Sequence, residues 1–209
     1  MTEKISESNI ESICEQLSHR DKRLAVIYKN HGAPPLWARE PTFATLIHII
    51  LEQQVSLASA LAAFNKLIEV IGDITPENVL SLSDTEMKAA YFSRQKAAYA
   101  RHLANAVRAG GLDLAALDAF PDDEVRARLM QIKGIGRWTS DIFLLMCLMR
   151  PDVMPKGDIA LYKAWQTVDG LAKRPMPEEF DELSVRWKPY RSVAARLLWH
   201  FYLSERKAD

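Results

Sequence analysis

Two short stretches carry residue types whose spacing could do chemistry. The first is Lys133-Gly134-Ile135-Gly136-Arg137, set between an apolar run ending near Met130 and another starting at Trp138. Two glycines one residue apart permit a tight turn with positive φ and let a foreign backbone come close. A helix starting directly after such a turn projects its unpaired N–H groups and its positive end toward the turn. Together these make an anion site suited to a phosphate. Lys133 and Arg137 add charge, Thr139 is counted with the site, and Ile135 is expected to plug into the helix pair and stiffen the hairpin. Without a ligand the same residues make only a tight interhelical turn. A G-x-G-x-x-G nucleotide loop fits poorly, because no strand precedes the turn and no third glycine follows. The second stretch is Val153-Met154-Pro155-Lys156-Gly157-Asp158. A Gly-Asp pair before a helix can be a plain N-cap. A carboxylate held rigid at a helix start can also stabilise positive charge developing on a reacting group. The two readings coexist.

Positioning these groups falls to helices. Phe43, Leu46, Ile47, Ile50 and Leu51 recur at helical spacing. Ser56 can cap a helix that runs to Gly72, Thr75-Pro76 starts another, and Ser83-Asp84-Thr85-Glu86 reads as a capping box. Helices are expected over Arg94–Ala109 and Asp122–Met130, over Trp138–Met149 as a buried helix, and over Ile159–Val168 and Pro189–Leu203. No alternating strand or repeat stands out. The expected fold is all-α: two helical lobes with a cleft between them, containing a helix–hairpin–helix over about 122–149. One lobe would span 36–152, and the other 1–35 plus 153–209, with a boundary at Pro34-Pro35 and an irregular stretch from Pro151 to Gly157.

Composition narrows the class. The 209 residues, 48% of them hydrophobic, suffice for one domain or two small lobes. No apolar run is long enough to span a bilayer, and the first residues lack an apolar core, so no membrane partner and a cytoplasmic location (nucleoid-associated in a bacterium) are expected. Two cysteines, Cys14 and Cys147, cannot hold an iron–sulfur cluster alone and read as buried thiols. Net charge is zero but unevenly spread: residues 1–93 carry 8 basic and 12 acidic side chains, and 94–209 carry 19 and 15. Arg94–Arg108 and Arg126–Arg137 each hold four basic residues and no acid, a pattern open to a nucleic acid or to plain solvated helix faces.

The hairpin followed by the loop ending at Asp158 resembles the helix–hairpin–helix, Gly/Pro-rich loop, Asp superfamily of DNA glycosylases, over about residues 36–206. Within it the chain looks most like the alkylbase branch, DNA-3-methyladenine glycosylase II. Leu51-Glu52-Gln53-Gln54-Val55-Ser56, Phe92-Ser93-Arg94-Gln95-Lys96 and Arg186-Trp187-Lys188-Pro189-Tyr190-Arg191-Ser192 resemble further signatures in the same order. The resemblance implies a monofunctional glycosylase that flips out an alkylated base and hydrolyses its glycosidic bond, with Asp158 as catalytic carboxylate. Trp138 stands where bifunctional relatives carry the Schiff-base lysine, so no strand cleavage is expected. Trp138, Ile142 and Trp199 would line the base pocket, although any one tryptophan could be core. Gln54, with Gln53 before it, would be the wedge that fills the vacated stack. Lys133 to Arg137 and Thr139 would hold phosphate. The carbonyls of Met130, Ile132 and Ile135 would hold a monovalent cation, Na+ or K+, with no cofactor required and no cluster. The partner would be double-stranded DNA containing damaged bases, and a monomer is the default. Tyr91 stands where the family is commonly small, which bears on substrate range. The competing readings are a non-catalytic helix–hairpin–helix DNA-binding protein and a helical interaction scaffold.

Overall fold

The computed structural model describes residues 3–208. Among the described residues there are twelve α-helices, two 3₁₀ turns and no strand. In order they are α1 (Ile10–Arg20), α2 (Lys22–His31), α3 (Phe43–Glu52), α4 (Leu57–Ile71), α5 (Pro76–Ser81), α6 (Asp84–Ala89), α7 (Arg94–Arg108), α8 (Asp122–Met130), α9 (Arg137–Met146), α10 (Ile159–Val168), α11 (Pro177–Ser184) and α12 (Arg191–Ala208). None is long and apolar enough to cross a membrane among the described residues.

The chain divides into two compact units, Met1–Ala38 with Leu144–Asp209, and Arg39–Phe143. Relative to the sequence-based boundaries, residues 36–38 and 144–152 move to the unit of the termini. The cause is local bonding: the Ile5 amide donates to Met149 O (2.9 Å), and Arg196 donates to Leu145 O (2.8 Å).

In the unit of the termini, α1 and α2 pair and α12 packs on α2 and α10. Cys14, Leu17, Leu24, Ile27, Trp165, Phe180, Trp187 and Leu197 fill its core. Asp21 caps α2 through the Arg23 amide (2.9 Å) and accepts the Trp187 indole N–H (2.9 Å), so one carboxylate ends one helix pair and fixes a core aromatic. Arg196 is fully buried and donates to three carbonyls, Leu36, Ser192 and Leu145. Burial pushes its guanidinium down to about 10, so it remains charged at neutral pH.

In the second unit, α3 packs on α4 and α7, and α5 packs on α7. Leu46, Ile47, Ile50, Leu67, Ala100, Leu103 and Phe143 are buried there. The expected caps form: Ser56, Thr75 and Ser83 each accept the amide three residues on, and Ser83 with Glu86 completes a capping box; Ser93 caps α7 in the same way.

Three element boundaries differ from the sequence reading. α9 stops at Met146, because Met149 turns left-handed (φ 53°) and the Arg150 amide reaches back to Leu144 O (3.0 Å). α12 begins at Arg191 rather than Pro189 and runs on to Ala208. α11 went unread, although Pro177 sits at its first position and Glu179 accepts the Met176 amide (2.8 Å).

Candidate functional site

The hairpin joins α8 to α9 inside one unit. Its two glycines do different work. Gly134 sits at φ 103°, and a Cβ there would lie 2.6 Å from Tyr99 Cβ and 2.5 Å from Tyr99 Cδ1. That glycine is therefore required by the protein's own packing. Gly136 lies outside the positive-φ set, and a Cβ on it would meet nothing within 4 Å. It is the open glycine, and the one that leaves room for an incoming backbone. Ile135 is buried as expected, and its amide donates to Ile132 O (3.0 Å), which closes the turn. Lys133 and Arg137 are exposed on the turn.

A buried carboxylate that the sequence reading passed over ties the hairpin together. Asp141 is 0% exposed and accepts Arg126 Nε from α8 (2.7 Å) and Arg137 Nε from its own helix (2.8 Å). One acid thus clamps both helices and partly engages the charge of Arg137. The spacing Arg137-x-x-x-Asp141 was the available signal. Several other basic residues are likewise spent internally: Arg101 on Asp84 (2.6 Å), Arg191 on Asp152 (2.7 Å), and Arg196 in the core. Basic runs in the sequence therefore overstate the free positive surface.

Two site residues need correction. Thr139 is 1% exposed and accepts Gln53 Nε2 (2.9 Å), so its hydroxyl faces inward and is not open to a phosphate. The same Gln53 nitrogen donates to Gly134 O (2.9 Å). Gln53 is committed to the hairpin and does not serve as a wedge. Gln54 is exposed and has left-handed backbone (φ 57°), a conformation that persists in a non-glycine residue only where surroundings enforce it.

In the other unit, Asp158 caps α10: its Oδ1 accepts the Leu161 amide (3.0 Å) and the Trp199 indole N–H (3.3 Å). Asp158 and Trp199 are both buried, each 8% exposed, so the carboxylate is held rigidly by its partners. The loop before it is pinned by the Gly157 amide on the Tyr162 hydroxyl (2.7 Å), and burial pushes that phenol up, keeping it neutral. Ser192 accepts the Val153 amide (2.9 Å) and donates to Arg150 O (2.6 Å), while Arg191 grips Asp152, so α12 carries both Trp199 and the anchor of the loop that delivers Asp158. Trp37 stands edge-on to Trp199 (6.4 Å, 75°) and is half-buried. Nothing in its local sequence signals that.

Of the remaining residues, Trp138 is half-buried and Ile142 is 2% exposed, both on α9. Among the described residues no three His, Cys, Asp or Glu side chains gather as a metal cluster. Both cysteines are buried, and burial with Glu11 and Glu15 nearby pushes the Cys14 thiol up to about 12.

This fold and site have relatives. The chain is 29% identical over 182 residues to DNA-3-methyladenine glycosylase 1 of Schizosaccharomyces pombe, covering 85% of this chain and 80% of that protein. It is 26% identical over 201 residues to a putative DNA-3-methyladenine glycosylase of Bacillus subtilis, covering 92% and 69%. Among solved structures, it matches the S. pombe 3-methyladenine DNA glycosylase in complex with abasic DNA, with TM-score 0.84, 29% identity and coverage of 90% and 95%. The model of the HhH-GPD superfamily base excision DNA repair protein matches residues 47–189, which takes in the hairpin, its brace and Asp158. On a match over well more than half its length, carried by the elements that form the site, the chain belongs to the HhH-GPD superfamily of base excision DNA repair proteins.

Proposed function

We propose that the protein is an alkylbase DNA glycosylase that hydrolyses the N-glycosidic bond of 3-methyladenine-type lesions and leaves an abasic site. The observation that carries this is the Asp158 carboxylate, fixed at the start of α10 by the Leu161 amide and the Trp199 indole. As the C1′–N bond breaks, its electron pair leaves with the base and positive charge builds on the sugar. A preorganised carboxylate stabilises that charge and can orient the water whose oxygen adds at C1′. An alkylated purine already carries positive charge and departs neutral, so the site needs no strong general acid. Aromatic faces favour such a cationic base, and Trp199, whose indole N–H lies on Asp158, is the candidate to hold it.

Double-stranded DNA is the partner in this reading, taken as a monomer. Its phosphate meets Gly136, the α9 N-terminus, Lys133 and Arg137, while Gln54 fills the stack vacated by the flipped nucleotide. Trp138 has no amine, so a Schiff base and strand cleavage are not expected. A monovalent cation suits the neutral carbonyls of Met130, Ile132 and Ile135. Ile132 O accepts one hydrogen bond and keeps a lone pair, and a bound ion would supply positive charge beside the phosphate.

The test is to incubate the protein with methylated DNA and identify released bases by chromatography and mass spectrometry, with Asp158→Asn in parallel. The expected result is release of methylated purine by the wild-type protein and none by Asp158→Asn, which still binds abasic duplex. Full activity in that variant would remove Asp158 from the reaction.

A further inference from the structure

We infer that Gln53 is a positioning residue that couples the phosphate-gripping turn to the loop bearing Gln54, so that seating the backbone and inserting Gln54 are one event. This rests on the glycosylase reading above. The geometry is specific. Gly134 O can only accept a hydrogen bond, so the side-chain nitrogen of Gln53 must face the turn, and the same nitrogen reaches Thr139 Oγ1; both distances are 2.9 Å. The Gly134–Ile135 peptide is thereby held at both ends, its carbonyl by Gln53 and its N–H by Ile132 O (3.0 Å).

The other end of the coupling is the close of α3. Three consecutive residues there are anchored to three separate segments. Leu51 O accepts the ammonium of Lys96 from α7. Glu52, 9% exposed, takes both arms of the Arg39 guanidinium (2.7 and 3.1 Å). Gln53 takes the hairpin. The next residue, Gln54, is the exposed one in left-handed conformation. Three anchors in a row are what a strained wedge requires if it must not yield when pushed into a base stack. Of the three, only Gln53 runs to the phosphate turn. Removing it should leave the turn able to bind backbone and the loop free to give way.

The experiment uses the full chain. Single-turnover excision is measured on a methylated base in paired duplex and in single strand. In parallel, 2-aminopurine next to an abasic analogue reports stack opening on binding, and the salt dependence of binding reports phosphate contacts. Gln53→Ala is expected to lose at least about 10-fold more excision on paired duplex than on single strand. It should lose most of the 2-aminopurine rise while keeping the salt slope to within about one contact. Thr139→Val should move the same way, the double variant should be no worse than Gln53→Ala alone, and Thr139→Ser should restore the wild-type paired-to-single-strand ratio. Equal loss on both substrates, additive losses, or no fluorescence rise with the wild-type protein would overturn the coupling. If the wild-type protein releases no methylated base but the fluorescence cycle shows the non-additivity, the coupling stands and the assigned reaction falls.

Discussion

Replacing Gly134 with alanine separates two costs that the structure allows to be weighed. The first is backbone: at φ 103° a residue with a Cβ is strained, by about 1–2 kcal/mol for left-handed conformations. The second is contact. The new Cβ would stand 2.5 Å from Tyr99 Cδ1 and 2.6 Å from Tyr99 Cβ, atoms at the root of the ring that no rotation of its tip can clear. Overpacking of this kind costs about 1–3 kcal/mol. The sum, about 2–5 kcal/mol, is a large share of the 5–15 kcal/mol typical of a domain. Urea unfolding, read as a shift in midpoint at constant slope, measures it. In a Tyr99→Gly background, which removes the Cβ of residue 99 as well as its ring, the contact cost vanishes and only the backbone cost of about 1–2 kcal/mol should remain. An equal penalty in both backgrounds would refute the steric argument, and a penalty below about 0.5 kcal/mol in the wild-type background would refute both.

Trp199→Phe keeps an aromatic face but removes the N–H on Asp158 Oδ1 (3.3 Å). Excision should fall about 10-fold, the lower end for a hydrogen bond to a charged group, and an unchanged single-turnover rate would count against the pairing. Asp141→Asn weakens the clamp on Arg126 and Arg137. It should cost about 1–3 kcal/mol in urea unfolding and weaken binding to undamaged duplex; unaltered stability would show that the two arginines are held by other means. His48 stacks on Phe64 (4.4 Å) and burial lowers its pKa below 6.5, so the unfolded chain binds its proton more readily. Stability should therefore fall as pH drops below about 6.5 through the lowered folded value, and His48→Leu should flatten that limb of an unfolding-versus-pH series. Cys14 should resist a thiol reagent at pH 8 until the chain unfolds, since its thiol is fully buried and its pKa sits at about 12; rapid labelling of native protein would contradict its burial.

Much of the site was legible in the residues themselves. Caps at Ser56, Thr75 and Ser83 are local hydrogen bonds, and local sequence suffices to write them. The hairpin and the capping Asp158 follow from glycine, helix starts and one acid, all within a few residues of each other. The irregular end of α9 was less legible, because it depends on a left-handed Met149 that no glycine announces.

What only the tertiary structure decided is where long-range partners fall. Gln53 and Gln54 are chemically identical neighbours, yet one amide is consumed by a turn 81 residues away and the other is left at the surface. Thr139 and Lys133 both flank the turn, but one points into the protein and the other out. Basic residues that look alike in the chain separate into buried struts such as Arg196 and exposed charges such as Lys133, according to whether carbonyls or a carboxylate lie within reach. Local residue types set each helix and its caps, since those bonds close within four residues; the use of each polar side chain was set by groups brought near only when the helices packed.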